Sequence, residues 1–175
     1  LTLVAMLWTR LYSSILLTLN NLFSNLSSIE KCFLISTLES LSIINNAFDS
    51  CVNLRIVPNL NLSSVLDAGG LFEGCGGIEE IGDINFENAI SIGGFLRNYG
   101  DGYPIRKIGV FNIPNLENIG DFFYYSFTPV IRENLIEMGG FIGLKCKWDG
   151  GCGLDSCPNL TYQSCINILN GLADV

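Results

Sequence analysis

Residues 47–70 read AFDSCVNLRIVPNLNLSSVLDAGG, and residues 71–94 read LFEGCGGIEEIGDINFENAISIGG. The two stretches match at a constant offset of 24 residues, and the matched positions are mostly apolar: Phe48 with Phe72, Cys51 with Cys75, Leu54 with Ile78, Val57 with Ile81, Leu60 with Ile84 and Val65 with Ala89. A fixed period of this length is typical of repeat architectures, in which each unit buries its apolar face against the next. We therefore expect stacked repeats that share one elongated core.

The same columns extend over most of the chain. We place repeat starts near residues 22, 47, 71, 95 and 122, with an insertion at 98–104 and an atypical terminal repeat over 141–175. The whole chain, residues 1–175, is interpreted as one domain. Terminal repeats usually carry a polar outer face, and neither end of this chain shows one, so we expect it to be part of a longer protein; the alternative is that neighbouring chains cover its ends.

Local signals predict the elements within each repeat. The apolar positions from Leu54 to Val57 predict a short parallel strand, which Pro58 ends, and the counterpart strand in the next repeat ends at Gly82. Paired glycines at 69–70, 93–94 and 139–140 predict turns at the repeat corners.

A helix is predicted near the C-terminus. Thr161 is a suitable N-cap for a helix of about Tyr162 to Asn170, and Gly171 is a suitable stop. Five apolar residues fall on one stripe of this helix, and we expect that stripe to pack against the last repeat; they are Tyr162, Cys165, Ile166, Leu169 and Leu172.

Composition excludes several classes of function. The sequence has no His, which removes Ser-His-Asp and Cys-His catalysis and mixed Cys/His zinc sites. A net charge of −8 opposes binding to nucleic acid. The longest uncharged stretch, residues 11–29, is too rich in Ser and Asn to span a bilayer. We expect no enzyme activity, no cofactor, no nucleic-acid partner and no membrane span.

The repeated motifs resemble a known family. Phe48-x-x-Cys51-x-x-Leu54-x-x-Val57-Pro58 and Phe72-x-x-Cys75-x-x-Ile78-x-x-Ile81 are similar to the BspA-type leucine-rich repeat, found in bacterial surface proteins and phage-encoded proteins, and the resemblance covers about residues 16–144. It implies a right-handed leucine-rich repeat solenoid with a parallel β-sheet on one face, short turns or helices on the other, and a C-terminal helix. It also implies an extracellular, cell-surface or virion location.

Charged residues alternate in sign at one strand position of the repeats. Glu30, Arg55, Glu79 and Arg106 occupy this position, and neighbouring parallel strands lie about 4.8 Å apart, so these side chains would form a ladder of opposite charges. The ladder has two interpretations, which are compatible: it sets the register of the strands, or it forms a polar strip that faces a ligand.

The insertion and an aromatic run supply further candidates for ligand contact. Tyr99, Asp101 and Tyr103 lie in the insertion, where a rigid scaffold would present a loop, and Tyr124 belongs to an aromatic run that would turn alternate side chains outward. The complete set of predicted ligand-contact residues is Arg55, Glu79, Glu80, Tyr99, Asp101, Tyr103, Arg106, Lys107 and Tyr124.

The seven cysteines indicate no complete disulfide framework, because their number is odd. Cys51 and Cys75 occupy the same repeat column, where they are either buried free thiols or a disulfide. The spacing of Cys146, Cys152, Cys157 and Cys165 is unlike that of structural zinc sites; scattered thiols, a local disulfide and a zinc site all remain open for them.

Together these observations predict a non-enzymatic leucine-rich repeat binding module of an extracellular or surface protein, which mediates recognition of a protein or a glycan, or adhesion. The alternative is a structural component of a phage particle, or of a surface array that assembles from copies of itself.

Overall fold

The computed structural model describes residues 21, 23–25, 41–97, 104–116, 134–144 and 157–171. Within these residues all strand pairings are parallel, and the strands form one six-stranded sheet. The elements are β1 (Ile56–Val57), β2 (Leu60–Asn61), β3 (Glu80–Ile81), β4 (Ile84–Asn85), β5 (Lys107–Asn112), β6 (Glu137–Ile142) and the helix α1 (Tyr162–Gly171).

The short strands form two rows that meet on one long strand. In one row β1 pairs with β3, and in the other β2 pairs with β4. The first half of β5 then pairs with β3 and its second half pairs with β4, while β6 pairs along the opposite side of β5. β5 therefore joins both rows into one sheet.

Side chains explain why each unit has two short strands and not one continuous strand. Pro58 lies between β1 and β2 and has no N–H to donate. At the next position, the Asp83 N–H donates to Asn59 Oδ1 at 2.8 Å, and the Val110 N–H donates to Asp83 Oδ1 at 2.8 Å. Side-chain oxygens thus accept the hydrogen bonds that backbone carbonyls accept elsewhere in the sheet.

The predicted fold class, a right-handed leucine-rich repeat solenoid, is wrong. The described residues form an open parallel sheet of six strands with one C-terminal helix, a small α/β-type arrangement. A leucine-rich repeat contributes one strand and a helical segment per unit. Here each of the two 24-residue units in 41–97 contributes two separate strands and no helix, because the strand breaks at residues 58–59 and 82–83.

The sequence alignment nevertheless identified true neighbours within the sheet. Val57 is paired with Ile81, and Leu60 is paired with Ile84, both at the offset of 24 residues. Ile81 in turn pairs with Ile108, an offset of 27 that accommodates the insertion. The repeat starts placed near residues 22 and 122 lie outside the described residues.

The core is lined by aromatic rings stacked from unit to unit. The rings of Phe23 and Phe48 stack with centroids 5.0 Å apart, and those of Phe48 and Phe72 stack at 5.4 Å. Phe95 is fully buried and meets Phe72 edge-on at 5.3 Å. It meets two more rings, Phe86 and Phe111, edge-on at 5.7 and 5.8 Å. Edge-to-face pairs contribute about 0.5–1.5 kcal/mol beyond the area they bury.

One turn of each unit requires a left-handed backbone. Asn46, Gly70 and Gly94 occupy equivalent positions with φ of 53°, 63° and 68°. Glycine and asparagine adopt this conformation at the lowest cost, so the glycines predicted at 69–70 and 93–94 are confirmed as turn residues. The pair at 139–140 was predicted wrongly, because both glycines lie inside β6.

The helix begins where the sequence predicted. The Ser164 N–H donates to Thr161 Oγ1 at 3.2 Å, which confirms Thr161 as the N-cap. The predicted orientation of α1 is wrong, however. Its buried residues are Ser164 and Gly171, whereas Tyr162, Cys165 and Leu169 of the apolar stripe are exposed. Leu172 lies outside the described residues.

Polar contacts to β6 explain this orientation. The Met138 N–H donates to Ser164 Oγ at 2.9 Å, and Asn167 Nδ2 donates to the Met138 carbonyl at 3.4 Å. Backbone groups of a strand at a sheet edge need partners, and the polar face of α1 supplies them.

Candidate functional site: the charged face of the sheet

The first row of charges joins three successive units. Glu79 lies between two arginines: its Oε1 contacts Arg55 Nη1, and its Oε2 lies 3.3 Å from Arg106 Nη2. The arginine side chains are more than half exposed, and Glu79 is about one third exposed. The predicted charge ladder is confirmed for these three residues. Glu30, its predicted fourth member, lies outside the described residues.

A second row runs beside the first, one residue later in the chain. Its members are paired in the register Ile56, Glu80, Lys107 and Glu137. Lys107 Nζ lies 3.2 Å from Glu137 Oε2, and both side chains are about half exposed. Glu80 precedes Lys107 in the register, so charges alternate along this row as well. We call the two rows, from Arg55–Ile56 to Ile136–Glu137, the charged face.

A local backbone feature brings both rows to the surface. The N–H groups of Glu79 and Glu80 both donate to the Arg55 carbonyl, at 2.8 and 3.2 Å. The N–H groups of Ile136 and Glu137 likewise share the Arg106 carbonyl, at 2.9 and 3.1 Å. Two consecutive donors on one acceptor break the strict alternation of faces in a strand, so adjacent side chains are both left partly or fully exposed.

Exposed isoleucines lie at the two ends of the charged face. Ile56 begins the second row and Ile136 ends the first, and their side chains are 37% and 44% exposed. The face therefore combines charges of both signs with apolar margins, a composition suited to contact with another macromolecule.

The structure brings five of the nine predicted contact residues together: Arg55, Glu79, Glu80, Arg106 and Lys107. The remaining four, Tyr99, Asp101, Tyr103 and Tyr124, lie outside the described residues. The sequence interpretation did not include Glu137 or Ile136. The signal for both was present, because they lie between Leu135 and Met138, which keep the apolar spacing of the earlier triads.

A ladder of asparagine side chains is a further feature that the sequence interpretation missed. Asn85 Nδ2 donates to Asn61 Oδ1 at 3.0 Å, and Asn112 Nδ2 donates to Asn85 Oδ1 at 2.8 Å. These residues lie at the ends of β2, β4 and β5, and the 24-residue offset relates the first two. The amides bond to one another, so the ladder helps to fix the register of the second row of strands.

The core cysteines Cys51 and Cys75 are thiols that form no disulfide. Cys51 Sγ donates to the Phe23 carbonyl at 3.0 Å, and Cys75 Sγ donates to the Phe48 carbonyl at 2.8 Å. A hydrogen bond with Cys51 and burial together raise the pKa of the Cys75 thiol, which keeps it protonated and unreactive. Of the tail cysteines, Cys157 and Cys165 form no disulfide, and Cys146 and Cys152 lie outside the described residues.

We predict that Glu79→Gln lowers the free energy of unfolding only slightly. The substitution removes both ion pairs of the first row, and exposed pairs contribute about 0.2–1 kcal/mol each. We expect a loss of about 0.5–1 kcal/mol at low ionic strength, measured by urea denaturation, which diminishes as salt is added. Glu87→Gln is the matched control, because this exposed carboxylate has no ion pair within the described ranges. A salt-independent loss would contradict an electrostatic role for Glu79.

Comparison with known proteins gives no match: no family model, no curated protein and no solved structure is similar to this chain. In the part of the chain that the structure describes, no helix is long and apolar enough to cross a membrane. Nor do the described residues contain a cluster of three or more Cys, Asp or Glu side chains that could hold a metal ion.

Proposed function

We propose that this protein is a non-enzymatic binding module and that the charged face is its contact surface for a protein partner. The observation that carries the proposal is the fixed alternation of charge on the sheet: Arg55, Glu79 and Arg106 in one row, Lys107 and Glu137 in the next. Parallel strands hold these side chains in register, so the pattern is preorganised.

Alternating charge favours one class of partner over others. Nucleic acid requires a uniformly positive surface. Each arginine or lysine of the charged face, in contrast, has a carboxylate beside it. A protein surface with the opposite alternation would complement the face, and the exposed Ile56 and Ile136 would add apolar contact at its margins. The proposal includes no catalytic step, since the Glu79 and Glu137 carboxylates are engaged in ion pairs and the sequence has no His.

An extracellular, cell-surface or virion location is part of the proposal. It rests on the resemblance of the repeated motifs to bacterial surface and phage-encoded proteins. The second candidate function is structural: a component of a phage particle, or of an array that assembles from copies of this chain. The exposed apolar side chains of α1 favour association between copies.

The proposed function is tested by exchanging one ion pair. In the double variant Lys107→Glu/Glu137→Lys the net charge and the cross-strand pair are kept, while the signs of charge at these two positions of the charged face are exchanged. Wild type and variant are applied to an array of purified extracellular protein domains and to a glycan array. We expect wild type to bind a protein and the variant to bind it at least about tenfold more weakly, because close charge pairs at interfaces couple by about 1.5 kcal/mol or more.

The matched control exchanges an ion pair away from the sheet. Arg97 Nη1 lies 3.9 Å from Glu73 Oε1, and neither residue belongs to a strand of the sheet, so Glu73→Arg/Arg97→Glu should leave binding unchanged. Circular dichroism verifies that both double variants are folded. Equal binding by wild type and the Lys107/Glu137 variant would exclude the charged face as the contact surface. Binding to glycans alone would overturn the choice of partner, and assembly without binding to either array would favour the structural role.

A further inference from the structure

The helix α1 has two faces with opposite character. Side chains advance by about 100° per residue around an α-helix, so Ser164, Asn167 and Gly171 fall on one side. This is the side that contacts β6, because Ser164 and Asn167 form hydrogen bonds with the Met138 backbone. Gly171 lies so close to the same strand that a Cβ on it would be 2.7 Å from the Phe141 nitrogen. The sheet therefore occupies the polar and small-residue face of the helix.

The opposite face carries an apolar stripe that the sheet leaves uncovered. Tyr162, Cys165, Ile166 and Leu169 fall within an arc of about 100° on this side. The Tyr162 side chain is 82% exposed and Leu169 is 62% exposed; Cys165 is exposed and Ile166 is half-buried. We call these four residues the α1 stripe. Large apolar side chains grouped on an exposed helix face mark an interaction surface.

The spacing of the residues in the α1 stripe indicates which partner can pack against it. Its residues are separated by three, one and three positions, a pattern that reads the same in both directions. Two such helices packed antiparallel around a two-fold axis between residues 165 and 166 would place Tyr162 of each copy against Leu169 of the other. Cys165 of each copy would oppose Ile166 of the other. A two-fold interface requires this kind of self-complementarity.

The distribution of charge also favours a second copy of this chain as the partner of the α1 stripe. The chain carries a net charge of −8, so two copies repel each other over most of their surface. No residue of α1 is charged, with no acidic side chain in its first turn and no basic one in its last. The helix is therefore a surface on which two copies can approach without bringing like charges together.

We propose that α1 pairs with α1 of a second copy of this chain, in an antiparallel two-fold contact through the α1 stripe. The helix has ten residues and spans about 15 Å, so four side chains bury less than the roughly 800 Å² per partner of a standard interface. The dimer is accordingly weak and reversible, with a dissociation constant above about 1 μM. The contact is separate from the charged face.

Sedimentation velocity over a concentration series up to about 1 mM, under reducing conditions, measures this association. Wild type should shift from monomer to dimer as concentration rises. Leu169→Glu should weaken the dimer at least about tenfold, because a carboxylate would then face Tyr162 of the other copy in an apolar contact. Ile90→Glu is the matched control, since Ile90 is a half-exposed isoleucine that lies at a bend outside α1.

A mixing experiment tests the antiparallel geometry itself. Tyr162→Lys alone and Leu169→Glu alone should both remain monomeric, because each places charges against apolar side chains. An equimolar mixture should recover a dimer, since the introduced lysine of one chain would face the introduced glutamate of the other while the second Tyr162–Leu169 contact stays native. Circular dichroism establishes that each variant is folded.

Cross-linking at Cys165 adds a readout of position. A short bismaleimide should join two chains through Cys165, which is exposed and close to the proposed two-fold axis, and Cys165→Ser should abolish that product as identified by mass spectrometry. A monomer at about 1 mM, a dimer insensitive to Leu169→Glu, or a mixture without recovery would each overturn the proposal. Ligand binding by the charged face should be unaffected by these variants, so the two proposals fail independently.

Discussion

Replacing Phe95 by alanine is expected to lower the free energy of unfolding by about 3–5 kcal/mol. The ring is fully buried and meets three other rings edge-on, those of Phe72, Phe86 and Phe111. Truncation removes these contacts and leaves a cavity that rings fixed by their own neighbours can fill only in part. Urea denaturation followed by circular dichroism measures the loss.

The matched control is Ile90→Ala. Ile90 is half exposed, so its truncation should change the free energy of unfolding by less than about 0.5 kcal/mol. The comparison separates burial from a general effect of removing an apolar side chain. A loss below about 1 kcal/mol for Phe95→Ala would show that the aromatic cluster is not the packed centre of the core.

The second large effect is expected from Gly139→Ala, which should lower the free energy of unfolding by about 1–3 kcal/mol. A Cβ at this position would lie 2.7 Å from the Gly109 carbonyl carbon and 2.7 Å from the Val110 nitrogen. These are backbone atoms of β5 and cannot move without separating β5 from β6. Thermal and urea denaturation both report the change.

Gly93→Ala is the control, and we expect it to have the opposite sign. A Cβ at Gly93 meets no atom within 4 Å, so alanine is accommodated in the folded state. Because alanine has fewer conformations than glycine in the unfolded chain, the variant should gain about 0.4–1 kcal/mol. If both variants lost stability equally, a nonspecific cost of replacing glycine would explain the result, and steric contact between the strands would not.

The apolar columns of the sequence predicted the contacts that depend on burial. Val57 and Ile81, and likewise Leu60 and Ile84, were aligned by their spacing and are neighbours in the sheet. The break of each strand into two was not predictable in this way, because it depends on hydrogen bonds that Asn59 Oδ1 and Asp83 Oδ1 accept from backbone N–H groups. Asn59 and Asp83 recur at the 24-residue offset, but a recurring polar residue gives the same signal whether its side chain accepts such a bond or only faces water.

The candidate site and the helix α1 were also predicted only in part. Alternation of charge predicted the contacts among Arg55, Glu79 and Arg106, since Glu79 follows Arg55 at the offset of 24 residues and Arg106 follows Glu79 at the offset of 27 that the insertion produces. The orientation of α1 was predicted wrongly because the apolar stripe of an isolated helix suggests burial. The orientation of α1 depends instead on the Met138 backbone of β6. Its N–H donates to Ser164 Oγ, and its carbonyl accepts from Asn167 Nδ2.

This attachment of α1 to β6 limits the ways in which copies of the chain can associate. A bare edge strand can accept a strand from another molecule, and each addition creates a new edge, so growth has no natural end. At β6 the helix covers Met138 and closes that route. Association through the far side of the helix uses one self-complementary surface per chain, so this contact by itself joins two copies and no more.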